Sequence, residues 1–231
     1  MAVAVDQTAT GVNPNGVTTA TVTWGTNPAA GAKVLVFVAS FTSVSGVVDN
    51  GATPTTFTLD ANDNDNGAND YFVQVWRADN ITLPGSGSYH ATVTFSSSAA
   101  GVAGGRSYTG VASGAPSSTS LQAGGASTGT SVTTGNLTPP ATGSLLVGGF
   151  LTDSGANPES ITLTTSGASA IVTETNGTIL AGAGADHIVT TTSAQGLAWT
   201  LGSSADWATV IACYAAAGAA APKGLLMAGI V

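Results

Sequence analysis

The sequence predicts an all-β antiparallel sandwich built from two similar halves, and three observations carry that expectation. Of 231 residues only 4 are Lys or Arg and 12 are Asp or Glu, so charged residues make up 7%, well below an average soluble domain. Helical proteins clothe their exposed faces in Glu, Lys and Arg, and the scarcity of those residues rules out a helical bundle. Alternation of apolar and polar residues with period two recurs from end to end, bounded by Asn-Gly turn signals, which is the signature of short half-buried strands. The hydrophobic share of 43% is ordinary, so the chain has the means to build a core.

Taken in order, Val17–Trp24 reads VTTATVTW, β-branched and alternating, after Asn15-Gly16. Lys33–Phe41 is nearly all apolar, which suits a strand covered on both faces. Tyr71–Ala78 sets Tyr71, Val73, Val75 and Arg77 on one face and Phe72, Gln74, Trp76 and Ala78 on the other, and Tyr89–Phe95 puts Tyr89, Ala91, Val93 and Phe95 together. Further strands are expected at Thr55–Leu59, Gly104–Val111, Ser144–Leu151, Ser160–Thr165, Ala170–Glu174, His187–Thr192, Leu197–Leu201 and Trp207–Ala215. Asn50-Gly51, Asn66-Gly67 and Asn176-Gly177 punctuate them, because both residue types tolerate the positive φ of tight turns.

The two halves echo each other. A Thr-rich strand meets a Pro-x-x-Gly corner, Pro28 to Gly31 and again Pro140 to Gly143, and an apolar strand follows each. Each half closes with a strand, a Ser-rich turn and a last strand. The halves span about 1–112 and 131–216, joined by the Gly, Ser and Thr-rich bridge Ala112–Thr130. A duplicated four-strand unit folded into two facing sheets is the jelly-roll pattern, giving a single domain over 1–216. Residues 217–231 form an Ala/Gly linker and an apolar tail with Leu225, Leu226, Met227, Ile230 and Val231. That tail is too short to span a bilayer. It either tucks under its own sandwich or docks on another subunit as an added strand.

Candidate chemistry is thin. The run DANDNDNGAND carries Asp60, Asp63, Asp65 and Asp70. With Gly67 as the turning glycine of a calcium loop, the alternate positions would be Asn62, Asn64 and Asn66 and the twelfth Val73, which cannot ligate. A solvated turn is the expectation, and no metal is assigned. Asp186 precedes His187, a pair that could orient a base, but no G-x-S-x-G elbow accompanies it. His90 alternates with apolar neighbours and should face outward. Glu159 and Glu174 are the only glutamates and nothing pairs them as glycosidase carboxylates. Cys213 sits in an apolar strand and reads as an inert core thiol. AGAGAD lacks the Lys-Ser/Thr of a phosphate loop. Trp24, Trp76, Trp199 and Trp207 could stack on sugars if exposed, but their neighbours favour core packing. No catalytic residue and no cofactor is therefore assigned.

Net charge is −8 and Lys33, Arg77, Arg106 and Lys223 are scattered singly, which argues against nucleic acid as a partner. The N-terminal MAVAVDQTATG has no basic stretch leading an apolar one, so no secretory signal is read there. No segment is apolar enough for a membrane span.

The Pro28–Gly31 corner, Trp76, GSYHATVTF at Gly87–Phe95 and SADWA at Ser204–Ala208 together resemble a jelly-roll-like β-sandwich domain. Such domains recur in phage virion proteins and in secreted bacterial proteins. The resemblance spans roughly Val17–Ala217. It implies a jelly-roll-like sandwich used as a surface-display or binding module. Together with the absent catalytic constellations, the uncharged Ser/Thr-rich composition, the lack of a signal peptide and the apolar tail, the expectation is a non-enzymatic virion structural protein, a capsid decoration, minor capsid or tail-surface component on the virion surface. Its partners would be a major capsid or tail protein and further copies of itself as a homo-oligomer. The alternative is a carbohydrate-binding or adhesin module on a bacterial surface, with a surface glycan as partner.

Overall fold

The computed structural model describes residues 1–12, 15–65, 71–122, 128–153, 160–176 and 180–218. These residues form an all-β antiparallel sandwich of 14 strands without a helix. The first half contains β1 (Ala4–Thr10), β2 (Asn15–Trp24), β3 (Lys33–Ser40), β4 (Val44–Asp49), β5 (Thr58–Asp65), β6 (Tyr71–Ala78) and β7 (His90–Thr109). The second contains β8 (Ser118–Gln122), β9 (Thr128–Thr133), β10 (Leu145–Asp153), β11 (Ile161–Leu163), β12 (Ser169–Asn176), β13 (Leu180–Ile188) and β14 (Ala198–Tyr214).

The halves share one pairing scheme, save that β1 also pairs with β2 in the first. In the first, β7 pairs with β1, β2, β3 and β4, β3 also with β6, and β6 with β5. In the second, β14 pairs with β8, β9, β10 and β11, β10 also with β13, and β13 with β12. The repeated unit is therefore seven strands rather than the expected four. The bridge after Ala112 is not all connection, because it contains β8 and the start of β9. The Pro-x-x-Gly corners are equivalent too: Gly31 and Gly143 adopt φ of 77° and 78°, values that L residues with a Cβ resist.

Two expected Ser-rich turns are continuous strand instead. β7 runs through Ser96–Ser98, where its register against β2 jumps from Thr94 to Ala99. β14 runs through Ser203 and Ser204, where its register against β9 jumps from Thr200 to Ala205. These irregularities bend each long strand, so its first part lies in an outer sheet and its last part in an inner one. Four layers result, with three cores between them. One core, containing Val22, Trp24, Val36 and Tyr89, fills the first half. Another, containing Val132, Phe150, Trp199 and Ile211, fills the second. The third, containing Leu35, Phe37, Val73, Val147, Val210 and Tyr214, lies between the halves. The inner strands are thus covered on both faces; all 8 residues of β3 are buried.

Cross-half packing is close to two-fold symmetric. β5 lies against β14 and β8 as β12 lies against β7 and β1. Near the centre Phe37 sits on two glycines of the other half: a Cβ on Gly149 or on Gly184 would stand 2.6 Å from its ring. Gly184 helps to explain a strand that periodicity misses. AGAGAD is the middle of β13, and the strand expected at His187–Thr192 ends at Ile188.

Candidate functional site

The charged side chains concentrate where the two halves meet. In register, Leu35 on β3 lies between Arg77 on β6 and Arg106 on β7, while Lys33 lies beside Tyr108. The expectation that the cations are scattered singly therefore holds along the sequence but not in space. Lys33 Nζ reaches Asp79 Oδ1 at 2.7 Å and the carbonyl of Gly114 at 3.0 Å, and stands 5.0 Å from the centroid of the Tyr214 ring. Arg77 donates through Nε to Asp60 Oδ2 at 2.8 Å and through Nη1 to Asp79. Arg106 donates to Asp186 Oδ1 at 2.5 Å and to the carbonyl of Ala170 at 2.6 Å.

Two tyrosines tie these groups across the junction. Tyr108 of the first half donates to Asp186 of the second at 2.8 Å. Tyr214 of the second half donates to Asp60 of the first at 2.8 Å. The tyrosines occupy equivalent positions, one opposite Lys33 and the other opposite Leu145.

The titration behaviour follows from this packing. Burial pushes the Tyr108 and Tyr214 hydroxyls well above the usual range, and the neighbouring carboxylates add to it. Burial also lowers the Lys33 ammonium, against the pull of Asp79. Burial alone would raise Asp79; its hydrogen bond and charge contact with Lys33, the Gly114 N–H and Arg77 outweigh that and hold it below the usual carboxylate range.

The acidic run is not a solvated turn throughout. Asp60, Asp63 and Asp65 belong to β5, and Asp63 and the side chain of Asp60 are buried; Asp70 lies outside the described residues. Asp60 sits at the irregularity between Leu59 and Ala61, which turns its carboxylate toward Arg77. Among the described residues no group of three or more His, Cys, Asp and Glu could hold a metal ion.

Asp186 and His187 do not act as a pair. Adjacent strand residues point to opposite faces, so Asp186 enters the junction while His187 enters the side of the second core. His187 lies near Gly167 and its Nδ1 has no hydrogen-bond partner among the described residues. His90 is half-buried on the outer sheet of the first half, between buried Tyr89 and Ala91. Trp24, Trp76, Trp199 and Trp207 are all buried, so none offers a face for stacking on a sugar. Cys213 is buried in the second core, and burial raises its thiol. The Glu174 side chain, Glu159 and the tail residues Leu225, Leu226, Met227, Ile230 and Val231 lie outside the described residues. No helix among the described residues is long and apolar enough to cross a membrane.

Compared with protein families, curated proteins and solved structures, the chain matches none.

Chemically, the junction is a buried ionic and hydrogen-bonded seam. Asp186 and Asp60 accept across it, the first from Arg106 and Tyr108 and the second from Tyr214, while Asp79 is held by Lys33 and Arg77 of its own half. The outward surfaces are the opposite in kind. On the first half they present Thr19, Thr21, Thr92 and Thr94, and on the second Ser131, Thr133, Thr162 and Thr200.

Proposed function

We propose that the protein is a non-enzymatic phage virion structural protein, a capsid decoration, minor capsid or tail-surface component that works by protein–protein assembly. One observation carries the reading: Lys33, Arg77 and Arg106, three of the 4 basic residues, are turned into the junction. The outer faces are left with hydroxyl side chains. A coat component is displayed in many copies beside a polyanionic genome and acidic cell surfaces. A face without clustered cations has no counterions to displace from either. The interior is stiffened by the ionic seam, which suits a part that functions by holding its shape. The sequence resemblance to virion sandwich domains points the same way.

In this reading the protein sits on the virion surface, bound to a major capsid or tail protein and to further copies of itself. The apolar residues Leu225, Leu226, Met227, Ile230 and Val231 supply the docking segment. The test is to probe density-purified particles with an antibody raised against the chain and to quantify the chain against the major capsid protein. A fixed stoichiometry on particles is the expected result. A chain absent from particles, or one that binds a glycan array with its tail removed, would replace this reading with the adhesin one. Truncation after Pro222 should abolish attachment while leaving the sandwich folded; a truncated chain that still attaches removes the tail from the mechanism.

A further inference from the structure

We infer that the junction is a selective docking interface: it pairs a first half with a second half, in one chain or between two copies, and rejects like pairs. Because the two halves share one register, each junction residue has a known counterpart. Leu35 faces Arg77 and Arg106 in its sheet, and Val147 faces Asp186 and Ala212 in the other, so Arg77 corresponds to Asp186 and Arg106 to Ala212. Phe37 corresponds to Gly149 by the same rule, since the first lies between Val75 and Gly104 and the second between Gly184 and Val210.

Like pairing then fails on two independent counts. If a first half met another first half, Arg106 would meet Arg77 where it now meets Asp186. Phe37 would also meet a second Phe37 where glycine now admits it. If a second half met another second half, Asp186 would be buried with Ala212 in place of its arginine, and Gly149 against Gly149 would leave a hole. The ledger of charge agrees. Lys33, Arg77, Asp60 and Asp79 pair within the first half, so among the described residues Arg106–Asp186 is the salt bridge that needs the mixed pair. A buried charge left without its partner is expensive enough to decide between partners. The preferred partner for a displaced half is therefore the complementary half of a second copy, giving an exchanged assembly of two chains.

The test keeps the full chain. A protease site inserted between Ala115 and Pro116, in the connection from β7 to β8, is cut after folding, and the nicked protein is examined by native mass spectrometry. The expected species is a one-to-one pair, regenerated alone when the nicked protein is unfolded in urea and refolded. Homodimers of either fragment, or fragments that part at micromolar concentration, would overturn the inference. If the nicked chain does not refold, the uncut chain decides. Asp186→Arg should lower the urea midpoint, and adding Arg106→Asp should recover at least half of that loss by restoring the ion pair in reverse. No recovery would equally overturn it.

Discussion

The two halves have one topology and different chemistry, and the difference lies where they touch. At equivalent positions the first half has Phe37, Arg77 and Asp60, and the second has Gly149, Asp186 and Ile171. Inside each half the roles stay alike: Trp24 and Tyr89 fill one core, as Trp199 and Phe150 fill the other. Each half keeps an aromatic pair in its own core, although not at equivalent positions, since Phe150 answers to Val38. A duplicated β-unit makes a lasting partner of its twin by becoming unlike it, large against small and cation against anion.

The largest expected effect comes from removing the knob. Phe37→Ala should cost about 3–5 kcal/mol in urea unfolding, because the glycines opposite cannot fill the space. A loss below about 1 kcal/mol would mean the halves barely depend on each other. Next comes a contrast between the two carboxylates. Among the described residues Asp186 is the only carboxylate bonded to Arg106, so Asp186→Asn should cost about 3–5 kcal/mol. Asp60 shares Arg77 with Asp79, so Asp60→Asn should cost only about 1–3 kcal/mol. Equal losses would show that the second carboxylate on Arg77 gives no cover.

The pH extremes separate the two sides of the seam. Asp79 is held below its ordinary value in the folded chain, so its contribution is complete above about pH 4 and is lost as pH falls through the lowered value. Tyr108 and Tyr214 are raised, so theirs is complete below about pH 10 and is lost as pH climbs beyond it. Phenolate absorbance from these two should therefore appear together with unfolding in an alkaline titration. Gradual ionisation of a still-folded chain would place both hydroxyls in water. The smallest effect belongs to the outer face: Thr21→Val and Thr94→Val should each change stability by no more than about 0.5 kcal/mol, read as an unchanged urea midpoint.

Much of this arrangement is legible in the sequence, and the illegible parts share a cause. Alternation marks β2, β6 and the first part of β7, and the paired Pro-x-x-Gly corners reveal the duplication, because those signals are local. β13 is hidden because AGAGAD has low strand propensity. Its two glycines answer to side chains far earlier in the chain, Gly184 to Phe37 and Gly182 to Val102. The acidic run reads as a turn because Asp is rare in strands, while the partners that admit Asp60 are Arg77 and Tyr214. Likewise Lys33, Arg77 and Arg106 look scattered until strand register sets them side by side. A sequence-level clue does exist for two of them: Lys33 opens KVLVFVAS and Arg77 stands near the end of YFVQVWRA, both largely apolar runs.

The bent strands β7 and β14 carry a mechanical consequence. Each runs unbroken from an outer sheet into an inner one, so a tug on the outer layer travels down a single length of backbone into the seam. There it meets hydrogen-bonded neighbours on both sides. Rupture then requires shearing several strands at once, where a simple hairpin would peel bond by bond. Held in an optical trap, each half should yield as one event at high force, with no earlier step for the outer sheet.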